Sequence, residues 1–181
     1  IKIFQRDRIV LTGANGVGKS QFIGLLHRAT ADSQALRNVT VSPTVVVGYL
    51  DQQMSQLPAQ PTLLDFVTDR FRLGDQRSLD LLAGAGFDVD TQRRPIAYLS
   101  PGQKARLGLL ALRLTEPNFY LMDEPTNHVD IGGPERLESE ILAHKATCVM
   151  VSHDRFFVAA IGTRFLHIDG NRLHEVAAPT G

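Results

Sequence analysis

Residues 13–20 read GANGVGKS, and residues 8–12 before them read RIVLT. An apolar strand followed by a glycine-rich turn and a helix, with G-x-x-x-x-G-K-[ST] at the turn, is typical of a phosphate-binding loop. The backbone N–H groups of such a loop and the positive end of the helix dipole both point at phosphate oxygens. Lys19 would reach the β- and γ-phosphates of a nucleotide, and the Ser20 hydroxyl would bind Mg²⁺. The stretch therefore predicts a nucleotide-binding fold.

The composition indicates one globular domain without a membrane span. The chain has 181 residues, 43% hydrophobic and 21% charged, close to the averages of soluble proteins. Its 19 basic and 19 acidic residues cancel, so bulk charge favours neither nucleic acid nor membranes. The single cysteine, Cys148, excludes an intrachain disulfide, and no apolar run approaches the ~18 residues that span a bilayer. We expect a soluble, cytoplasmic protein.

Strand-like and helical segments alternate along the chain, which is the pattern of an α/β fold with a mostly parallel sheet. The predicted strands are residues 8–12, 44–50, 118–122, 147–151 and 165–168. The predicted helices are residues 19–29, 62–71, 79–85, 102–114, 134–143 and 155–160. Because residues 61–98 show helical patterns without a strand, we expect a helical subdomain, about residues 61–115, inserted in the sheet.

Two adjacent carboxylates, Asp123 and Glu124, follow the apolar segment 119–122. Successive residues at the end of a strand point in different directions, so the pair can divide two tasks. Asp123 is placed to hold Mg²⁺, and Glu124 to accept a proton from an attacking water. An acidic pair after a strand is weak evidence alone, but beside a phosphate-binding loop it predicts a Walker B motif.

Residues 98–106 read YLSPGQKAR and stand before a long helical pattern. Ser100 suits an N-cap and Pro101 the first helical position, so these residues by themselves predict only a well-capped helix. However, residues 99–103, LSPGQ, resemble the signature LSGGQ of the ABC ATPase superfamily, and the other motifs of that superfamily occur in its order.

The resemblance to the ABC ATPases covers essentially the whole chain and implies a P-loop NTPase fold that binds ATP and Mg²⁺ and hydrolyses ATP. Residues 13–20 look like Walker A, Gln52 like the Q-loop glutamine, Asp130 like the D-loop aspartate and His153 like the switch histidine. The implied nucleotide-binding residues are Gly13, Asn15, Gly16, Gly18, Lys19, Ser20, Gln21, Ser100, Gly102, Gln103 and Asp130. The implied Mg²⁺ ligands are Ser20, Gln52 and Asp123, and the implied catalytic residues are Glu124, His153 and Gln52.

A finer resemblance links residues 124–130, EPTNHVD, and residues 152–157, SHDRFF, to the ABC-F subfamily patterns EPTNHLD and SHDRxFL. Members of this subfamily carry two ATPase domains on one chain and act on the ribosome, as translation factors or as antibiotic-resistance proteins. Only residues 53–99 separate the Q-loop from the signature, whereas first ABC-F domains usually have a long helical arm there. The resemblance therefore implies a second ABC-F domain.

In this family two ATPase domains close head to tail, so that the signature of one contacts the nucleotide of the other. The resemblance implies that Ser100 and Gly102 act on the nucleotide of a partner domain, either a missing first domain or an identical copy. Within the chain's own site, Glu124 would polarise the attacking water, His153 would steady the γ-phosphate, and Gln52 would sense Mg²⁺.

Three features depart from the family pattern. Pro101 replaces the usual first signature glycine and lacks a backbone N–H, which would weaken hydrolysis across the domain interface. Gln21 stands where Thr is usual, with little expected effect. The family places an adenine-stacking aromatic well upstream of Walker A, and Phe4 lies too close to Gly13 to replace it. We therefore expect the first strands of the domain to be missing from this chain.

Three functions remain open on the sequence alone. They are an ATPase whose hydrolysis resets a ribosome-bound state, a nucleotide-gated binding module with negligible turnover, and the ATPase subunit of a transporter, which Asn127 and His128 disfavour. A basic stripe is better explained by a solvated helix face than by contact with RNA; it consists of Arg93, Arg94, Lys104 and Arg106. The histidines without a motif context are interpreted as structural, and these are His27, His144, His167 and His174.

Overall fold

A computed structural model describes residues 1–32, 39–125, 133–170 and 172–177, and in them one six-stranded sheet forms the centre of the fold. The strands are β1 (Arg8–Thr12), β2 (Val47–Leu50), β3 (Phe119–Asp123), β4 (Thr147–Val151), β5 (Arg164–Asp169) and β6 (Arg172–Val176). Their order across the sheet is β2-β3-β4-β1-β5-β6. All neighbouring pairs are parallel except β5 and β6. The mostly parallel α/β fold is thereby confirmed.

Helices connect the strands and cover the sheet. In the described residues they are α1 (Lys19–Ala31), α2 (Leu63–Phe71), α3 (Asp75–Gly84), α4 (Val89–Gln92), α5 (Pro101–Thr115), α6 (Gly133–Ala143) and α7 (Arg155–Ile161). A 3₁₀ turn, Ile96–Tyr98, precedes α5. Six of these helices overlap the predicted ones, whereas the single turn of α4 was not predicted because it is too short to show a helical period. No helix of the described part of the chain is long and apolar enough to cross a membrane.

Each predicted strand is present, and two differences have a structural cause. β2 begins at Val47 rather than at residue 44 because the side chain of Asn118 holds the backbone before it: Val46 N donates to Asn118 Oδ1 at 2.9 Å, and Asn118 Nδ2 donates to the Thr44 carbonyl at 2.9 Å. β6 was missed because three of its five side chains are exposed, which leaves little apolar signal in the sequence.

The central strands are buried on both faces, which explains their nearly continuous apolar sequences. On β1, Ile9 and Leu11 pack with Ile23 of α1, while Val10 packs on the opposite face. The second face is covered by α6 and α7, through side chains that include Leu137, Ile141, Phe157 and Ile161. Burying one such side chain contributes roughly 1.5–3 kcal/mol, so the two layers anchor the strands whose carboxyl ends carry the predicted site.

Helices α2 to α4 pack together beside the sheet, and residues 51–118, all described, contain no strand. Their apolar cluster includes Leu63, Phe66 and Leu82, and α5 contributes Leu107 to it. The same helix α5 contributes Leu112 to the core beneath the sheet. Helix α5 therefore joins the helical layer to the strands.

We predict that Gly48→Ala destabilises the fold, because β2 passes close to the end of α5 at this residue. A Cβ there would contact Leu112 Cδ1 and would lie 2.7 Å from Cγ of the rigid Pro117 ring. Such overpacking costs about 1–3 kcal/mol, which urea unfolding would measure as a lower midpoint. The matched control is Gly84→Ala, whose Cβ meets nothing within 4 Å at the end of α3. Equal midpoints for the two variants would contradict the prediction.

Candidate nucleotide-binding site

The loop between β1 and α1 has a backbone that only glycine adopts readily. Gly13, Gly16 and Gly18 have φ angles of 140°, 78° and 103°, which favour glycine because a Cβ would clash with the main chain. At Gly13 a Cβ would also lie 2.6 Å from the Ile168 carbonyl oxygen of β5. Gly18 is the N-cap of α1 and gives no side-chain cap, so the first N–H groups of the helix are available to an anion.

Lys19 lies inside this loop and is only 9% exposed. Its Nζ donates to the carbonyl oxygens of Gly13 at 2.8 Å and Ala14 at 3.0 Å. Both acceptors are neutral, so these bonds satisfy two of the three donors of the ammonium group without neutralising its charge. A buried cation in this state is suited to an anionic ligand, since a buried charge is costly without a counter-charge.

The two carboxylates lie at the carboxyl end of β3, as the sequence predicts. Asp123 is the last residue of β3, opposite Val151 of β4, and both Asp123 and Glu124 are buried. Glu124 N donates to the Val151 carbonyl at 2.9 Å. Glu124 has φ of 52°, a left-handed conformation that is costly for a residue with a Cβ. Strain of this kind occurs often at functional residues.

The two oxygens of Glu124 have different surroundings. Oε2 accepts from His153 N at 3.2 Å. Oε1 lies 3.3 Å from His153 Nε2, but it is buried and has no hydrogen bond of acceptable geometry to any described residue. The distance alone does not make a hydrogen bond, because the angle decides whether a proton is shared. One oxygen is thus held by the backbone, and the other can accept a proton from a ligand or a water.

These groups line one cavity of about 320 Å³. Its lining residues are Asn15, Gly16, Gly18, Lys19, Ser20, Gln21, Gln52, Asp123, Glu124, Val151 and His153. The tertiary structure therefore brings together the predicted phosphate-binding loop, both carboxylates, and the residues predicted to be the Q-loop glutamine (Gln52) and the switch histidine (His153). The cavity is open to solvent at His153, whose side chain is 71% exposed.

The signature residues lie elsewhere. Ser100 is the N-cap of α5 and Pro101 its first residue, as predicted. Gln103 N donates to Ser100 Oγ at 3.2 Å, and Ser100 N donates to Gln103 Oε1 at 2.9 Å, which is a capping box. Ser100, Gly102 and Gln103 do not line the 320 Å³ cavity. Asp130 lies outside the described residues.

Gln52 borders a second cavity as well, of about 450 Å³, between the segment after β2 and the start of α5. Its lining residues are Gln52, Gln53, Met54, Leu99, Pro101, Lys104 and Ala105. Gln52 therefore lies between the first cavity and the cavity beside the start of α5.

The oxygen donors at the first cavity suit Mg²⁺. The hydroxyl of Ser20, the amide oxygen of Gln52 and the carboxylate of Asp123 are hard ligands, and Mg²⁺ in nucleotide sites typically takes few protein ligands along with water and phosphate oxygens. The buried, unbonded Oε1 of Glu124 adds an acceptor for a metal-bound or attacking water. The described residues hold no group of three or more His, Cys, Asp or Glu side chains that could bind a metal.

Sequence reasoning missed the contacts made by the residues next to Gln52. The carboxylate of Asp51 accepts hydrogen bonds from the turn around Gln52, and His27, interpreted as structural, stacks on Tyr49 of β2. The bond from Ser55 N to an Asp four residues before it is a local pattern that could have been noticed. The stack joins residues of two distant segments, and no sequence signal marks it.

The sequence profile of the ABC transporter family matches residues 1–127. The chain belongs to the ABC transporter family. Its resemblance to the ABC-F proteins is also confirmed. It is 32% identical over 184 residues to ABC transporter F family member 5 of Arabidopsis thaliana, covering 98% of this chain and 26% of that protein. It is 29% identical over 170 residues to ribosome protection protein VmlR of Bacillus subtilis, covering 93% of this chain and 30% of that protein.

The chain thus spans about a quarter to a third of the length of these curated relatives. Among solved structures, it resembles a dimeric post-hydrolysis state of the ATP-binding cassette MJ0796 bound to ADP and Pi. The TM-score is 0.70 at 18% identity, with 98% of this chain and 89% of that chain covered. This likeness establishes the ABC ATPase fold.

We predict that Glu124→Gly is more stable than Glu124→Ala. Both variants lack the carboxylate, but only alanine keeps a Cβ in the left-handed conformation, which costs about 1–2 kcal/mol. Urea unfolding of the two variants measures this difference directly.

Glu138, inside α6, provides the matched control pair. There the order should reverse, with the alanine variant more stable by about 0.5–1 kcal/mol. The same order at both sites would show that Glu124 is not strained.

Proposed function

We propose that the chain is the ATP-binding and ATP-hydrolysing domain of an ABC-F type protein, and that it works head to tail with a second ABC ATPase domain. The observation that carries the proposal is the 320 Å³ cavity, where a buried ammonium, three oxygen donors and a carboxylate beside a histidine meet. Membership of the ABC transporter family supports ATP as the nucleotide.

In the proposed reaction Lys19 and the N–H groups at the start of α1 bind the phosphates. Ser20, Gln52 and Asp123 would hold Mg²⁺, which when bound offsets phosphate charge. A water attacks the γ-phosphorus, its proton passes to Oε1 of Glu124, and the bond to the β–γ bridging oxygen breaks to leave ADP and phosphate.

His153 lies beside both oxygens of Glu124 and is exposed at the mouth of the cavity. Its backbone N–H holds the Glu124 carboxylate in place, and its ring would steady the γ-phosphate and the attacking water. Gln21 and Asn15 line the same cavity and would add polar contacts to the phosphates.

The signature residues would complete the site of a partner domain. Ser100, Gly102 and Gln103 stand at the N-terminus of α5 and outside the chain's own cavity, so a nucleotide there cannot use them within one copy. The positive end of the α5 dipole suits the γ-phosphate of a partner's nucleotide. Asp130 is proposed to contact the same interface. The helical layer, about residues 61–115, would be the subdomain that carries the signature.

We further propose cytoplasmic, ribosome-associated work, as a translation factor or in antibiotic resistance. The support is the similarity to the Bacillus subtilis protein named for ribosome protection and the EPTNHVD and SHDRFF segments. RNA contact would come through the ribosome rather than through a strongly basic surface, since the chain has no net charge.

A nucleotide-gated module with negligible turnover is the second candidate, and Pro101 favours it. Pro101 is the first residue of α5 and has no N–H to offer a partner's phosphate. In that case ATP would close the two domains and the closed state would persist.

We predict that Glu124→Gln lowers Mg²⁺-dependent phosphate release by about 10²–10⁴-fold, the usual contribution of a general base. ATP binding should be retained, because the amide keeps the size of the side chain. The assay uses this chain and a longer protein that includes the upstream domain. Glu116→Gln, at the exposed C-cap of α5, is the control and should leave turnover unchanged.

The outcomes separate the two candidates. Turnover in the longer protein that is lost in Glu124→Gln supports the ATPase, whereas ATP binding without turnover, unaffected by the substitution, supports the gated module. Absence of ATP binding by either protein would contradict both.

The ribosome association has its own test. The longer protein with Glu124→Gln should co-sediment with ribosomes in the presence of Mg²⁺-ATP and much less in ADP, since blocked hydrolysis would hold the ATP-bound state. Equal sedimentation in ATP, in ADP and without nucleotide would contradict nucleotide-controlled ribosome binding.

A further inference from the structure

The turn after β2 is organised by one carboxylate. Oδ1 of Asp51 accepts from Gln53 N at 3.1 Å and from Ser55 N at 2.8 Å. Oδ2 accepts from the hydroxyl of Tyr49 at 3.3 Å and from the hydroxyl of Ser55. Four donors from three residues thus converge on Asp51, two of them backbone groups that follow Gln52.

Gln52 lies inside this turn, two residues beyond the end of β2. Met54 N donates to the Asp51 carbonyl at 3.1 Å, and Met54 has φ of 54°, so the chain reverses tightly just after Gln52. No backbone ladder extends past Leu50, the last residue of β2. The Asp51 carboxylate therefore holds the backbone that follows Gln52.

Tyr49 ties this turn to helix α1. Its ring stacks on the ring of His27, with centroids 3.9 Å apart and planes 6° from parallel. Burial first, and then the charge and hydrogen bond of Asp51, raise the pKa of Tyr49 to about 12, so the phenol remains a donor. Burial lowers the pKa of His27, which keeps its ring neutral in the stack.

The stack of His27 on Tyr49 connects α1 to a strand that is not next to β1 in the sheet. β2 is the edge strand of the described sheet and pairs only with β3, whereas α1 follows β1, three strands away. His27 comes seven residues after Ser20 on α1, about two helical turns and on the same face. Helix α1 thus carries Ser20 to the cavity at its start, and through His27 it contacts the strand that leads to Gln52.

We infer that Asp51, Tyr49 and His27 form a positioning relay that sets Gln52 relative to the hydroxyl of Ser20. The inference rests on the proposed function, in which these two residues hold Mg²⁺ with ATP. The three relay residues do not line the cavity, so they act through Gln52 rather than on the ligand. They are positioning residues, and two proposed ligands from separate elements depend on them.

A double-mutant cycle on the chain tests the relay. We expect Asp51→Ala to weaken Mg²⁺-ATP binding about tenfold, as loss of an outer partner of a metal ligand does, and to change ATP binding without Mg²⁺ little. Gln52→Ala should do the same, and the double variant should bind no more weakly than Gln52→Ala alone. Asp80→Ala, which removes an exposed carboxylate on α3 that accepts from Gln76, is the control and should bind as the original chain does.

Milder substitutions at Tyr49 and His27 test the rest of the relay. They also keep the inference testable if Asp51→Ala does not fold. Tyr49→Phe removes one hydrogen bond and keeps the stacked ring, so it should weaken Mg²⁺-ATP binding about threefold. His27→Phe keeps an aromatic ring on Tyr49 and should bind more tightly than His27→Ala. A purely structural role for the stack would lower ATP binding equally with and without Mg²⁺, and this result would overturn the relay.

Amide hydrogen exchange separates this inference from the proposed function. In the chain without nucleotide, Asp51→Ala and Tyr49→Phe should speed exchange at Gln53 and Ser55, while Gln52→Ala should not. Unchanged exchange, or additive losses of affinity in the double variant, would overturn the inference even if ATP is bound and hydrolysed. If the original chain bound no ATP, the nucleotide function would fail, and the exchange rates would still decide whether Asp51 and Tyr49 hold the turn.

Discussion

The parallel pairing of β1, β4 and β3 is the constraint on which the rest of the structure depends. Parallel strands end at the same edge of a sheet, and ligands in such folds bind outside the carboxyl ends. In this chain that edge receives the glycine-rich loop after β1, Asp123 and Glu124 after β3, and His153 after β4. The glycine-rich loop and Asp123 are more than 100 residues apart in sequence, and the pairing of the strands brings them to one cavity.

Several buried polar groups and one strained residue at the cavity lower the stability of the folded state. Within the described part of the chain, an ammonium is buried on neutral carbonyls, a buried carboxylate oxygen lacks a hydrogen bond, and a glutamate has a left-handed conformation. Each of these carries a free-energy cost. The surrounding core offsets this cost, since β3 and β4 are buried along their whole length. Such a cluster at one cavity supports the proposed nucleotide site, because strained and unpaired buried groups are more common at functional sites than in a structural core.

The cavity and the signature belong to different layers of the molecule. Helix α5 packs against the sheet through Leu112 and against the helical layer through Leu107. Its N-terminus lies outside the cavity that the phosphate-binding loop lines. Gln52 borders both the nucleotide cavity and the cavity beside the start of α5. Gln52 is therefore the side chain that the two cavities share.

The sequence by itself determined the class of fold, the strands and most helices, and the identity of nearly all residues around the cavity. The fold class, the glycine-rich loop and the helix starts follow from local chemistry, since glycines, an N-cap serine and apolar periods act within a few neighbouring residues. Gln52 and His153 were instead implied by the resemblance to the ABC ATPases. Only the tertiary structure decided which oxygen of Glu124 is bonded, that Lys19 rests on loop carbonyls, and that His27 stacks on Tyr49. It also revealed β6, whose exposed residues carry no apolar pattern. These features depend on contacts between segments distant in sequence, and their geometry exists only once the sheet has set the strands side by side.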